Sequence, residues 1–370
     1  MKKILCIESL AGSFENCKKL GIDNKIIKEL RYFGRKQGSA CYLSKDVRKF
    51  CLGKNVRHIP LPAYTPSYLK NFVYLLYPFF NLSIFREYDT YYVHNISGSF
   101  PAVIAKFMLR NKRIISKYDW NWGFTFKQKY NYSIYLAARF LEYLSLKNSD
   151  LVIASTYRLR NEIYLITKDT GKNVAVIPNW VDGALFKPLR KKTINKRRPL
   201  LVSVGRLDEG KNHMLLLQSV KKLDSINPKV LLIGDGEQKD ELLDYAEKNN
   251  IDLCIINKVP NVKIPQYLRK ADLFLITSRY EGQPQVIIEA LACGLPVIGL
   301  DVRGVNDIIK HNYNGILCKE DPTHVASALK SLLKNKRIYD QLRQNGIKSV
   351  KDYSFNIVMD KIYKHIKNEN

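Results

Sequence analysis

Nine short apolar runs, alternating with stretches of helical period, constrain the fold of this 370-residue chain more than any other feature. In the first half they are Lys3–Ile7, Thr90–His94, Arg113–Lys117 and Asp150–Ala154. In the second they are Leu200–Gly205, Lys229–Gly234, Leu253–Ile256, Leu273–Ser278 and Pro296–Leu300. Short strands separated by helices are the signature of parallel sheets, because a parallel pair needs a crossover connection. Between the two sets, residues 188–199 read Pro-Leu-Arg-Lys-Lys-Thr-Ile-Asn-Lys-Arg-Arg-Pro, basic and proline-bounded with no apolar period. Such a run also resembles a nuclear-localisation patch, but a hinge between domains suits its position better. The expected architecture is α/β: two doubly wound domains facing across a cleft, residues 1–188 and 200–352, joined by a basic linker at 189–199.

The remaining composition narrows the setting. Seven cysteines, an odd number and scattered, fit neither a disulfide framework nor a zinc spacing. Cys6, Cys254 and Cys293 lie in apolar surroundings, as buried thiols of a reducing compartment would. The opening Met-Lys-Lys-Ile-Leu-Cys-Ile is too short for the apolar core of a signal peptide, and no run approaches the ~20 apolar residues of a membrane span. A cytoplasmic protein is expected. Residues 1–190 hold 31 Lys and Arg against 13 Asp and Glu, an excess of 18 within the chain's net +27. That excess would attract an anionic membrane surface at the inner face. No base-reading motif is visible, so nucleic acid is not an expected partner. The aromatic Tyr68–Phe80 offers a second membrane contact, although a helix packed on its sheet explains it as well.

Candidate chemistry concentrates in Ser278-Arg-Tyr-Glu-Gly-Gln-Pro-Gln-Val-Ile-Ile-Glu-Ala-Leu-Ala-Cys-Gly294. It reads as a loop entering a helix, with Pro284 suited to the first turn and Gly294 to the position just past the end. A helix N-terminus presents free amides and the positive end of the macrodipole, which suits phosphate. Glu281 precedes that end and Glu289 lies less than two turns inside. Two carboxylates beside a phosphate site suit a ligand with hydroxyls and phosphates, a nucleotide sugar. On spacing alone, two ordinary surface glutamates fit as well.

Neighbouring residues change that balance. Glu281 and Glu289 with Gly282 and Gln283, followed by Ala290-Leu-Ala-Cys-Gly-Leu-Pro-Val297, resemble the E-x7-E signature of retaining glycosyltransferase family 4. Val204-Gly-Arg-Leu-Asp-Glu-Gly-Lys-Asn212 resembles the strand-exit phosphate loop of that family, and Ile177-Pro-Asn-Trp-Val-Asp-Gly-Ala-Leu-Phe-Lys-Pro188 the segment before its linker. The resemblance spans nearly the whole chain, closely in the second half and loosely in the first. It implies the GT-B arrangement of two Rossmann-like domains, with a final helix, here 353–367, returning to the first.

The resemblance also implies roles. Arg206 and Lys211 would grip the donor diphosphate, Gly234 would line the nucleotide pocket, Glu289 would bind the ribose and Glu281 would orient the sugar. In the first domain, Gly12 follows the first strand, where it could let the chain approach the donor phosphate or the acceptor; His94 ends another strand and is expected to face the cleft, and Asp119 stands where many members carry His-Asp, both as catalytic candidates. Tyr118 replaces that histidine, so it must substitute for it or the role lies elsewhere. No Asp-x-Asp metal motif occurs, so no cofactor or metal is expected: the cations and the helix terminus would stabilise the leaving diphosphate. The expected activity is retaining transfer from a nucleotide-sugar donor, UDP-sugar favoured over GDP-mannose, to a glycan or lipid-linked acceptor. Two alternatives remain. Gly205 to Lys211 spells G-x-x-x-x-G-K, a P-loop ATPase pattern with Asn212 in place of the magnesium-binding hydroxyl. A non-catalytic basic protein binding nucleic acid or lipid is the other. Ile233-Gly-Asp-Gly-Glu-Gln-Lys239 lacks the third glycine of a dinucleotide fingerprint.

Overall fold

The computed structural model describes residues 3–9, 13–19, 23–129, 131–189, 198–223 and 226–367. Gly12 and residues 190–197 of the basic stretch lie outside them. The chain divides into two compact units, residues 1–178 with 359–370, and residues 179–358.

The first unit is built on a seven-stranded parallel sheet: β1 (Ile4–Ile7), β2 (Ala40–Leu43), β3 (Val56–Ile59), β4 (Thr90–Val93), β5 (Arg113–Tyr118), β6 (Leu151–Ala154) and β7 (Val174–Val176), in the order 3-2-1-4-5-6-7. The second has six parallel strands: β8 (Leu200–Val204), β9 (Lys229–Ile233), β10 (Asp252–Ile256), β11 (Leu273–Ile276), β12 (Val297–Leu300) and β13 (Gly315–Cys318), in the order 10-9-8-11-12-13. Each order reverses direction once, beside β1 and beside β8. The doubly wound α/β class expected from the alternating runs is therefore what forms.

Why these strands pair in the middle follows from their residues. In β8, Leu201 enters one core cluster and Val202 the other, and in β11 Leu273 and Leu275 alternate with Phe274 and Ile276. A strand buried on both faces reads as a near-continuous apolar run, and these do, broken only by Ser203 in β8. Four strands escaped the sequence reading. Val-Arg-His-Ile in β3 is broken by two polar residues, Ala-Cys-Tyr-Leu in β2 is apolar but only four residues long, β7 has three residues, and β13 opens on glycine.

Residues 179–188, assigned to the first domain on sequence, pack in the second unit. Val181 N–H donates to the Tyr353 carbonyl at 2.8 Å, and Val181 and Phe186 join the core cluster of that unit. The last helix, Phe355–Lys367, starts in the second unit, where Phe355 packs on Trp180. From Met359 onward it belongs to the first unit. There the Tyr32 hydroxyl donates to Asp360, and Arg113 Nη1 donates to the carbonyls of His365 and Ile366 at 2.9 and 3.0 Å.

Candidate functional site

Ligands of doubly wound sheets sit beyond the carboxyl ends of the strands, where the strand order reverses. In the second unit that place is formed by the loops after β8 and β11. Lys211 N–H donates to the Asp208 carbonyl at 3.0 Å, closing a turn that aims Lys211 across toward β11. Its ammonium pairs with Glu281 Oε1, and the Ser278 hydroxyl donates to the same oxygen at 2.7 Å. The Glu281 N–H donates to the Arg303 carbonyl at 3.0 Å, and Thr277 Oγ1 to the Lys211 carbonyl at 3.2 Å. Gly304, at φ +80°, packs so closely that a Cβ there would meet the Glu281 carbonyl oxygen at 2.4 Å. Glu281 is thus a buried carboxylate on a pinned backbone, matched to one cation.

Arg206 does not join that pair. Its guanidinium lies 3.0 Å from Asp208 and is largely exposed, so each cation of the loop has its own carboxylate. Asn212, at φ +50°, caps the helix His213–Lys221 by backbone alone and sends its side-chain amide to Glu320 at 3.0 Å. The next residue, His213, is buried, and burial first and Lys211 second lower its pKa to about 4, so it is neutral.

The helix Gln285–Ala292 begins one residue later than expected, with Pro284 in extended geometry as its cap. Its far end closes on Gly294 at φ +69°: Gly294 N–H bonds the Leu291 carbonyl and Leu295 N–H the Ala290 carbonyl, at 2.9 and 3.0 Å. Glu289 is buried within this helix and accepts a hydrogen bond from Asn261 Nδ2 at 3.2 Å. Asn261, from the loop after β10, was not foreseen. Gly282 is buried in the turn, and the Gln283 side-chain oxygen accepts the Asn179 N–H at 2.6 Å. Gln283 therefore anchors the 179–188 segment. Gly234 is also used internally: a Cβ there would lie 1.7 Å from the Gly205 carbonyl oxygen, so it lets two loops touch.

In the first unit, His94 and Asp119 follow β4 and β5. His94 N–H continues the sheet onto the Ile7 carbonyl at 3.0 Å, and Nδ1 lies 3.4 Å from Glu29. Its Nε2 is buried with no hydrogen-bond partner, as is Asp119 Oδ1. Asp119 Oδ2 is 3.7 Å from the buried Lys117 ammonium. Burial works against that charge, but Asp119, Glu29 and Glu8 outweigh it and raise its pKa. Lys117 was missed, although a lysine inside an otherwise buried strand is a visible anomaly.

Tyr118 does not substitute for the family histidine by touching a ligand. It is fully buried and donates to Glu142 Oε1 at 2.7 Å. Glu142, also fully buried, pairs with Arg139 at 2.6 Å and accepts the Trp122 N–H at 2.9 Å, capping the helix Trp122–Lys129. Gly98 lets the chain after β4 pack on the chain after β1: a Cβ there would sit 2.0 Å from the Glu8 carbonyl oxygen. Cys6 and Cys293 are buried thiols, whereas Cys254 is half-buried.

Residues 186–349 match the family model described as glycosyl transferases group 1. The N-acetyl-alpha-D-glucosaminyl L-malate synthase of Bacillus anthracis is 27% identical over 213 residues, 55% of this chain and 56% of that protein. The amylovoran biosynthesis glycosyltransferase AmsD of Erwinia amylovora is 29% identical over 216 residues, 58% of this chain and 61% of that one. The chain thus spans a little over half the length of these relatives. An Escherichia coli UDP-Gal:alpha-D-GlcNAc-diphosphoundecaprenol alpha-1,3-galactosyltransferase is 27% identical over 297 residues, 75% and 72% of the two chains. Among solved structures, Anabaena Alr3699/HepE with UDP and glucose superposes over 100% of both chains, with a TM-score of 0.75 at 17% identity. At that identity the likeness shows the fold, two Rossmann-like domains of the GT-B class. The matched family model and the relatives together support a glycosyltransferase family.

Proposed function

We propose that this chain is a retaining, metal-independent hexosyltransferase of the E-x7-E family 4 type. It moves a sugar from a nucleoside-diphosphate donor, UDP-sugar before GDP-mannose, to a glycan or lipid-linked acceptor in cell-surface glycan synthesis. The observation that carries this reading is the Lys211–Glu281 pair beyond β8 and β11, with the buried Glu289 in the helix that follows. Breaking a glycosyl–phosphate bond leaves negative charge on the diphosphate. Lys211, Arg206 and the amides opening the Gln285–Ala292 helix can stabilise it, the two cations by turning from or sharing Glu281 and Asp208. Glu281 orients the sugar and balances positive charge at its anomeric carbon, while Glu289 accepts from the ribose hydroxyls. The acceptor hydroxyl then attacks from the leaving-group face, which retains configuration. His94 and Asp119 serve the acceptor side, since both carry a buried polar atom with no hydrogen-bond partner.

The donor preference draws on the UDP-Gal in the name of the Escherichia coli relative and the UDP bound in the Anabaena structure. Among the described residues no helix is long and apolar enough to cross a membrane. Attachment at the inner membrane face rests on the basic first half and on Phe72, Phe79 and Phe80. These are exposed on the helix Lys70–Phe80, whose Tyr74 and Tyr77 are buried. An ATPase reading is disfavoured by Asn212, whose amide is committed to Glu320.

The test is a thermal-shift panel of UDP, GDP, ADP and ATP, in EDTA or magnesium, on wild type and Lys211→Ala. A ligand at a hundred times its Kd adds ~2.7 kcal/mol, several degrees for units this size. Stabilisation by UDP in EDTA, lost in the variant, supports metal-free transfer. Stabilisation only by ATP with magnesium overturns it.

A further inference from the structure

The first unit carries a cavity at the edge of its sheet opposite to His94 and Asp119. Thr90 and Arg113 open β4 and β5, and Asp150 precedes β6, so the lining comes from the amino ends of these strands. His94 and Asp119 follow the carboxyl ends of β4 and β5. The cavity measures about 630 Å³, within the roughly 300–1,000 Å³ range of small-molecule sites. No residue of the lining is apolar, so an occupant with a large apolar body gains nothing by entering.

The lining has more cations than acids: Lys106, Arg110, Lys112 and Arg113 against Asp89 and Asp150. Asp150 is shared. Lys106 Nζ holds both its oxygens, at 2.6 and 2.7 Å, and the Ile114 N–H donates to one of them at 2.7 Å. Burial lowers the pKa of Arg113 and of Lys172, and Asp150 only partly restores each. Asp89 accepts the Lys3 N–H at 2.9 Å. Lys112 Nζ donates to the Arg86 and Tyr88 carbonyls at 2.9 and 2.6 Å, and Arg113 to the carbonyls of the last helix. Carbonyls satisfy donors but carry no net charge, so four cations against two carboxylates leave two positive charges unanswered.

Arg110 is the loose end. Its guanidinium and the neighbouring Asn111 amide have no side-chain partner among the described residues. Its backbone is held at φ +53° and ψ −57°, with the Asn111 N–H closing on the Leu109 carbonyl at 2.7 Å. That is the rare, strained form of the γ-turn, which only glycine adopts freely. Strain of this kind gathers where ligands are held. Thr90 adds an unmet donor, since its hydroxyl is buried with no hydrogen-bond partner.

We infer that this cavity is a second anion site, taking a dissolved diphosphate-type anion on Arg110 and Lys112, away from the reacting groups. Two unanswered charges call for a ligand with more than one. Arg grips a phosphate bidentately and Lys serves as a point charge. The site shares no residue with the loops after β8 and β11, so it stands whether or not the chain transfers sugar.

Inorganic diphosphate and phosphate are titrated calorimetrically into the full chain in EDTA, at about 0.15 M salt so that only close contacts escape screening. Lys211→Ala silences the loop after β8, which would also take diphosphate, and excess UDP does the same in wild type. On either background one diphosphate should still bind, about tenfold tighter than phosphate because it can meet two cations at once. Arg110→Ala should weaken it by about tenfold or more, the worth of a charge-assisted hydrogen bond, and leave the UDP thermal shift unchanged. Arg110→Gly should lose as much while melting about two degrees higher or more, because glycine relaxes the turn. Lost binding in a more stable variant is not unfolding. Absence of diphosphate binding on both backgrounds, or Arg110 variants that bind as tightly as their parent, overturns the inference. So does binding to anionic vesicles that depends on Arg110 while diphosphate is ignored, which would give these cations to a membrane surface.

Discussion

A diphosphate that approaches Lys211 meets an ammonium already paired with Glu281 Oε1. Two anions each about 3 Å from one ammonium lie at most about 6 Å apart. At that separation unit charges repel by roughly 3 kcal/mol at an effective dielectric of about 20. Lys211 is 25% exposed, so solvent screens part of this, leaving about 1–2 kcal/mol. Glu281→Gln removes the charge while keeping the shape and the oxygen that accepts from Ser278. UDP should therefore bind the variant roughly five- to thirtyfold tighter. Transfer should fall by about a hundredfold or more, because the charge that balances the anomeric carbon is gone. The protein alone should melt a few degrees lower, since Lys211 loses its ion pair. Isothermal titration with UDP in EDTA, beside transfer rates on the same samples, reads all of this but the melting temperature. A variant that binds UDP more weakly than wild type would refute the reasoning, and would mean that Glu281 serves to aim Lys211 at the diphosphate.

Glu289→Gln should weaken UDP about tenfold or more while leaving pyrophosphate unaffected, because a charge-assisted hydrogen bond to ribose is worth roughly 1.5–3 kcal/mol; equal affinities by calorimetry would sink the ribose assignment. Tyr118→Phe should cost roughly 1.5–3 kcal/mol of stability and leave kcat unchanged, since the hydroxyl donates to the buried Glu142 carboxylate. A loss of kcat with stability intact would show that Tyr118 acts on substrate after all. His58 accepts the Phe50 N–H at Nδ1 at 3.0 Å and is held neutral, its pKa lowered to about 4, mainly by burial. The unfolded chain takes up this proton near pH 6.5 and the folded one only near 4, so stability should fall between those values by about 1.4 kcal/mol per pH unit for this group. Urea melts of wild type and His58→Gln at pH 7, 5.5 and 4.5 test it, and identical slopes would show that His58 is not the source.

Local signals were the legible ones. Gly294 stands where only a left-handed residue closes the helix, and neighbours within five residues settle that. The buried strands β1, β6, β8 and β11 were legible because a parallel strand covered on both faces reads as a near-continuous apolar run. Contacts between distant segments were not legible. The partner of Tyr118 is 24 residues away, and nothing local tells a buried tyrosine from one in a site. Gly234 shows the same limit: it was read as lining a nucleotide pocket, and the missing side chain also makes room for the Gly205 carbonyl, a contact no local signal announces. The Lys211–Glu281 pair spans 70 residues, so two expected roles, on phosphate and on sugar, proved to share one contact.

The last helix also sets the order in which the chain can be finished. Tyr32 and Arg113 find partners in Asp360, His365 and Ile366, which a ribosome reaches only after residues 179–358. At roughly 5–20 residues per second, about 180 residues take some ten to forty seconds. Throughout that interval the first unit must persist without its closing helix, while the whole of the second is being made. A fragment ending at Pro178 would be left permanently at that stage, with the faces that Tyr363 and Ile366 cover open to water. Expressed alone, the first unit would need residues 359–367 supplied in trans or grafted on.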